Sequence, residues 1–363
     1  MRRNRTDARK TGTAAEEQHH PTERSQTMCP APYTLLPVDA SRADAVAEVF
    51  RSIYGDTYPV KYVYQGAGVM AEIAAGRLSS FLAFDGQGLP AGYVAIYTSA
   101  PNPRLWEGGN LLVVPGRGDG DLAWSLLQQF LRPEHLPPSG SDGIFGESVC
   151  HHFFTQLACA KSGFADCALA LEQMDGAAFR EHAPESERVA CLLQFFEQSD
   201  PEEECYLPDR YEEPLQAILG RLRPRNPRHG RATLPETGTT VCHDTWFTGA
   251  GMWRVAVSSI GGDWTGFLDE LLLRAAQRGV VSLQVVISAA LPSIGRAVED
   301  LRQRGFFLGG LFPRWFGADG IMMQRILGRE PDYEGIRLYS AGARALLEFI
   351  RNDRESVPAP GGV

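Results

Sequence analysis

The stretch Val113–Leu127, VVPGRGDGDLAWSLL, sets two β-branched residues before a glycine-rich turn and an apolar pattern at helical spacing. A strand running into a helix through such a turn has two readings. It can be a tight connection in which Asp119 or Asp121 caps the helix. It can also be an anion cradle: backbone N–H groups converge in the turn, the helix adds the positive end of its dipole, and a pyrophosphate sits there without any lysine. In the second reading glycine is required because a Cβ would keep the anion at a distance. The neighbouring elements decide between the two.

Upstream, YTLLPVD reads as a short strand and SRADAVAEVFRSIYG as a helix closed by Gly55. DTYPVKYVYQ is an aromatic loop and GVMAEIAAGRL a helix. SSFLAFDGQGLPAGYVAIYTS is a hairpin, and GGNLLVV is the strand that enters the turn. Downstream, the helix stops near Pro133, GIFGESV is a strand, HFFTQLACAKSGF is a helix closed by Gly163, and ADCALALEQM is a strand. This order predicts one open sheet with helices packed on it. An acidic-to-basic connection with a helix at YEEPLQAILGRL follows, and then part of the pattern returns. TVCHDTWFTGAGMWRVAVSSI is a strand pair, WTGFLDELLLRAAQRG a helix, VVSLQVVIS a strand, SIGRAVEDLRQRG a helix and FFLGGLFPRWFGADGIMMQRI a strand pair. The helix–Gly–Phe junction therefore occurs twice, at Gly163 and Gly305, 142 residues apart, and predicts a duplicated fold.

The bulk properties agree with a globular enzyme or binding protein. The chain has 363 residues, 44% hydrophobic and 22% charged, enough for roughly two domains. A net charge of −9 argues against a nucleic-acid partner. No apolar run reaches the ~18 residues of a membrane span. The first 27 residues lack an apolar core for a secretory signal, so they are read as a disordered tail with Met28 as the functional start. Seven irregularly spaced cysteines without a CxxC predict a reducing, cytoplasmic setting. Cys150, His151, His152 and Cys159 raise a metal site, but zinc ligands pair more tightly, and no metal is expected. The Arg-Gly-Asp at 117–119 spells an adhesion motif and is set aside in such a chain.

The element order, with the turn at its centre and AKSGF one strand–helix unit later, resembles the GNAT acyltransferase superfamily. The family's Q/R-x-x-G-x-G/A motif falls on Arg117, Gly118, Asp119, Gly120, Asp121 and Leu122, with Leu122 at the last small position. The resemblance implies an α/β (α+β) fold of two GNAT-like domains, each a mixed, mainly antiparallel central sheet flanked by helices. It implies acetyl-CoA or another acyl-CoA as acyl donor, held by Val113, Val114, the residues 117–122 and His152, which stands at the family's Asn position. Cys159 stands at the position of the family's Tyr acid. A general base is expected near the splayed central strands: Glu107, at the start of the strand before the turn, or Glu147 on the neighbouring strand. Two carboxylates in one cleft raise each other's pKa, which suits amine deprotonation. Tyr58, Tyr62 and Tyr64 of the aromatic loop are candidate acceptor-binding residues, and Lys61 among them would repel an ammonium.

The expected divisions are a tail at 1–30, a first GNAT-like domain at 31–198, a linker with a helix at 199–240, a degenerate second copy at 241–330 and an extension at 331–363. The second copy has Gly261 and Gly262 without an Arg or Gln, and Ile294 and Leu301 where Asn and Tyr would stand. Phe312, Trp315 and Phe316 would line an acceptor wall or fill an interface. Two functions follow. One is an N-acyltransferase acting on an amine of a small molecule or protein, without nucleic-acid or membrane partners and with oligomeric state open. The other is a non-catalytic acyl-CoA sensor or interaction module.

Overall fold

The computed structural model describes residues 33–56, 58, 60–118, 120–135, 140–176 and 187–358; the tail read at 1–30 lies outside them. The residues from Tyr33 onward form one compact unit. Its first half runs β1 (Thr34–Pro37), α1 (Ala43–Tyr54), α2 (Gly66–Ala74), β2 (Leu78–Phe84), β3 (Pro90–Thr98), β4 (Leu105–Val113), α3 (Gly120–Leu127), β5 (Gly143–Val149), α4 (Phe154–Lys161), β6 (Ala165–Asp175) and β7 (Arg188–Glu197). The second half adds β8 (Tyr206–Leu207), α5 (Glu212–Leu219), β9 (Arg228–His229), β10 (Val241–Phe247), β11 (Met252–Ser259), α6 (Trp264–Gln277), β12 (Ser282–Ser288), α7 (Ile294–Gln303), β13 (Phe307–Phe316), β14 (Ala318–Ile326) and α8 (Ala341–Glu355).

Twelve strands form a single mixed sheet in the order β1-β2-β3-β4-β5-β7-β6-β13-β14-β12-β11-β10. The architecture is thus mixed α/β, a central sheet flanked by helices, and both halves share the sheet. The connectivity of β10 to β14 repeats that of β3 to β7, and the repeat reaches single residues. Gly163 and Gly305, with φ of 85° and 81°, close α4 and α7. Nine residues after each, Glu172 and Arg314 take φ of 53° and 58° inside β6 and β13. Buried Trp106 and Trp253 occupy the second position of β4 and β11.

β6 and β13 meet through one register pair, Gly310 opposite Ala168. A Cβ on Gly310 would lie 2.4 Å from the Cys167 carbonyl, so only glycine lets the strands approach. Side chains supply the rest of the join. Buried Gln324 on β14 accepts from the Leu171 N–H at 2.8 Å and donates to the Leu169 carbonyl at 3.0 Å, and the Ser282 hydroxyl donates to the Leu171 carbonyl at 3.0 Å. Backbone groups that would otherwise be buried unpaired are satisfied in this way. Arg225, in the segment read as a linker, bridges Glu197 of β7 at 2.7 Å and Asp319 of β14 at 2.8 Å, all three side chains under 5% exposed.

Each sheet face carries its own core. α1 buries Val46, Val49 and Phe50, at helical spacing, against Tyr93 and Leu112; each such side chain contributes about 1.5–3 kcal/mol of burial. On the opposite face α3 and α4 bury Leu122, Leu126 and Cys159 against Trp106 and Ile144. Among the described residues no helix is long and apolar enough to cross a membrane, and no group of three or more His, Cys, Asp or Glu is placed to hold a metal. The described cysteines are free, and all but Cys242 are buried.

Candidate active site at the fork of two strands

β4 and β5 run parallel and pair at three positions, Leu105–Gly143, Trp106–Ile144 and Glu107–Phe145. Beyond Glu107 they part: β4 follows β3 to the pair Val113–Gly92, and β5 follows β7 to the pair Val149–Cys191. The register of β3 and β4 slips between Tyr93 and Ala95, opposite Asn110, whose φ is 54°. This bulge bends β4 away from β5. Asn110 Oδ1 accepts a 2.6 Å bond from the Tyr58 hydroxyl, tying the aromatic loop to the bend.

Side chains alternate across the fork. Trp106 points into the α3/α4 core, so Glu107 points to the other face. There its carboxylate accepts a 2.8 Å bond from the Tyr97 hydroxyl. Gly109 allows this contact, since a Cβ there would lie 2.7 Å from the Tyr97 oxygen. Burial and then the neighbouring Glu147 carboxylate push the Glu107 carboxyl above its ordinary value; hydrogen bonds from Ser99 and Tyr97, and the Arg254 charge, pull against them. Glu107 is nevertheless partly exposed, so a ligand can reach it.

Glu147 follows Phe145 by two on β5 and shares its face. It pairs with Arg254 of β11, whose terminal nitrogens lie 2.6 and 3.4 Å from its two oxygens. Arg254 donates through Nε to Gln284 at 2.8 Å and lies over the rings of Phe312 and Trp315 at 5.0 and 5.4 Å. One candidate base of the first half, Glu147, thus pairs with a guanidinium from the second, and the charge of that guanidinium is also felt at Glu107. The sequence holds a trace of this: LWE at 105–107 and MWR at 252–254 occupy equivalent positions, and the charge changes sign. Tyr97, Asn110 and Arg254 were not among the residues read from the sequence.

The other candidates are spread more widely. Tyr58, Tyr62 and Tyr64 pack on the α1 core beside Phe50 and Tyr97, on the Glu107 face. Burial keeps the Tyr58 and Tyr62 phenols above their ordinary pKa. Lys61 among them donates to the carbonyls of Asp56 and Tyr58, both at 3.1 Å. Cys159 lies on the opposite face, in the apolar layer with Trp106 and Leu122, and burial pushes its thiol up to about 12. Cys159 and Glu107 are therefore separated by the sheet. His152 sits on the loop between β5 and α4, its ring 5.2 Å from that of Phe154.

The turn after β4 lies at the open end of the fork. Val113 ends the strand, and the Val114 N–H donates to the Ala91 carbonyl at 2.8 Å. The Arg117 N–H closes the turn on the Val114 carbonyl at 3.0 Å, and its guanidinium donates to the Pro90 carbonyl at 3.1 Å. Gly120 begins α3, and Asp121 is exposed in its first turn; Asp119 lies outside the described residues. Gly118 has a physical reason that differs from the expected one. A Cβ there would lie 2.5 Å from Leu122 Cδ2 and 2.6 Å from Val113 Cγ1. Its glycine makes room for the fully buried Leu122, which packs α3 onto β4.

The second half differs at both points. β11 and β12 remain paired over six positions, from Met252–Ser282 to Val257–Ile287, so no fork opens. The turn at Gly261 and Gly262 is filled by the chain itself. The Gly262 N–H donates to the Thr237 carbonyl at 3.0 Å, the Gly261 N–H to the Thr240 hydroxyl at 3.2 Å, and a Cβ on Gly262 would lie 2.3 Å from the Glu236 carbonyl. Ile294 and Leu301 are fully buried, and Phe312 and Trp315 of β13 are buried against each other, with Trp315 5.3 Å from Phe145 of β5.

No family model matches the chain, and no curated protein matches it. Among solved structures, it is similar to ribosomal-protein-S5-alanine acetyltransferase from Vibrio fischeri, with 13% identity over 47% of this chain and 94% of that one at a TM-score of 0.35. It is similar to a variant of spermidine N-acetyltransferase from Vibrio cholerae, with 14% identity over 46% of this chain and 95% of that one at a TM-score of 0.36. Each aligns along nearly its own full length with less than half of this chain.

Proposed function

We propose that this chain is an acyl-CoA-dependent N-acyltransferase with its chemistry in the first half. The donor is acetyl-CoA or another acyl-CoA, and the acceptor is an amine of a small molecule or protein. The observation that carries this reading is the fork. Two parallel strands separate at Glu107, a raised carboxyl stands at the point of separation, and a strand–turn–helix unit lies at the open end. The parted edges of β4 and β5 offer backbone N–H and C=O groups to a ligand that itself carries amides, as a pantetheine arm does. The turn Arg117–Gly120 and the α3 N-terminus favour the pyrophosphate.

In this reading Glu107 takes the proton of the incoming amine. Its nitrogen bonds to the thioester carbon, the C–S bond breaks with its electron pair on sulfur, and the proton balance closes on the CoA thiol. Catalysis is chiefly the positioning of two substrates. Tyr58, Tyr62 and Tyr64 form the acceptor wall. The two halves, 31–198 and 241–330, are duplicated GNAT-like modules, the second degenerate, a reading supported by the closed β11/β12 pair and the filled turn.

Calorimetry with acetyl-CoA and CoA, followed by thiol release over an amine panel, tests the proposal. Binding that is lost in Gly120→Trp, with the circular dichroism unchanged, supports the site. No binding of either ligand at millimolar concentration overturns it. The acyl-CoA sensor reading draws on Cys159, which is packed in the core where the family places an acid. Binding without thiol release from any amine would favour that reading.

A further inference from the structure

This inference rests on the acyltransferase reading and deepens it. Two carboxylates and one guanidinium share the space beside the fork. The groups facing Glu107 are Tyr97 and Ser99 from β3 and its end, Tyr58 from the aromatic loop, Glu147 from β5 and Arg254 from β11. The set is asymmetric: the guanidinium bonds Glu147 directly, at 2.6 and 3.4 Å. Arg254 is held from several sides, by Glu147, by Gln284 and by the rings beneath it, and its side chain is 7% exposed. It cannot turn fully to Glu107 without surrendering Glu147. Glu107, by contrast, has a neutral phenol as its hydrogen-bond partner at 2.8 Å.

We propose that Arg254, carried by the second half, is a positioning residue that fixes Glu147 as the permanent anion and so leaves Glu107 to take the amine proton. Glu147 and Arg254 keep their charges throughout the transfer, and one proton moves from the amine nitrogen to Glu107. The degenerate half is then part of the active site, through a residue at the position equivalent to Glu107 itself.

The test is direct titration of Glu107 in the full chain, with carboxyl-labelled glutamate observed by carbon NMR and the resonance assigned by its loss in E107Q. E147Q removes a like charge and frees Arg254, so the Glu107 midpoint is expected to fall by about one pH unit. R254Q is expected to raise it by a similar amount, and R254K to restore it towards the wild type. The acid limb of kcat/KM for amide formation should move in the same directions, with kcat affected more than the amine KM. If R254Q does not fold, E147Q decides alone. Midpoints that move the same way in E147Q and R254Q, or a midpoint unmoved in E147Q, overturn the assignment whatever the activity. Opposed midpoints in a protein that acylates no amine would refute the acyltransferase reading and leave the division of charge standing.

Discussion

Replacing Glu107 by Gln should move stability and activity in opposite directions. The amide keeps the shape of the side chain and an oxygen for the Tyr97 hydroxyl, so little packing is lost. Folding raises the carboxyl above its ordinary value. The unfolded chain therefore releases the proton first. Wild-type stability falls as pH climbs from the ordinary glutamate value through the folded one, and the full loss is present above it. Each unit of elevation corresponds to about 1.4 kcal/mol. Glutamine carries no such loss, so E107Q should match the wild type near pH 4 and exceed it at pH 8. Equilibrium urea unfolding at the two pH values, followed by tryptophan fluorescence, reads the difference. Amide formation in the same variant should drop by about 10²- to 10⁴-fold, the usual contribution of a positioned base. A variant less stable than the wild type at pH 8, or one that forms amide at the wild-type rate, would rule out a raised, proton-accepting carboxyl at Glu107.

Gly118→Ala should displace Leu122 and α3, costing about 1–3 kcal/mol in urea unfolding and weakening acyl-CoA binding in calorimetry. Arg225→Met leaves Glu197 and Asp319 buried against each other and should cost about 3–5 kcal/mol, seen as a lower unfolding midpoint. Cys159→Ala should cost stability and keep turnover; a stable variant without turnover would return Cys159 to the role of acid.

The order of elements from Thr34 to Asp175 was legible because amphipathic periodicity and glycine stops mark it. β7 was not read. Val189–Phe196 is a nearly continuous apolar run, buried on both faces, and gives no alternation to identify it. α8 was passed over within an extension, although Ser340 caps it by accepting from the Ala343 N–H at 2.8 Å, with Leu346 and Ile350 on its buried side. At the site, Glu107, Glu147 and the tyrosines were named from their place along the chain. Arg254 was out of reach, because its contact with Glu147 spans 107 residues and depends on how the shared sheet curves. Gly118 was named as the glycine of an anion cradle; the packing of Leu122 gives the position a different reason for glycine, one the sequence does not display.

The segment Glu236–Thr240 fills the second turn as a tethered competitor. Thr240 and the Gly261 N–H it meets are 21 residues apart in the chain. The residues between them are the paired strands β10 and β11, so the hairpin itself holds Thr240 against the turn. A diffusing phosphate ligand would have to displace backbone that the hairpin fixes in place and also replace the hydrogen bonds already made. Occupancy of the second turn is consequently insensitive to ligand supply, and any response of the protein to acyl-CoA should saturate at one equivalent per chain.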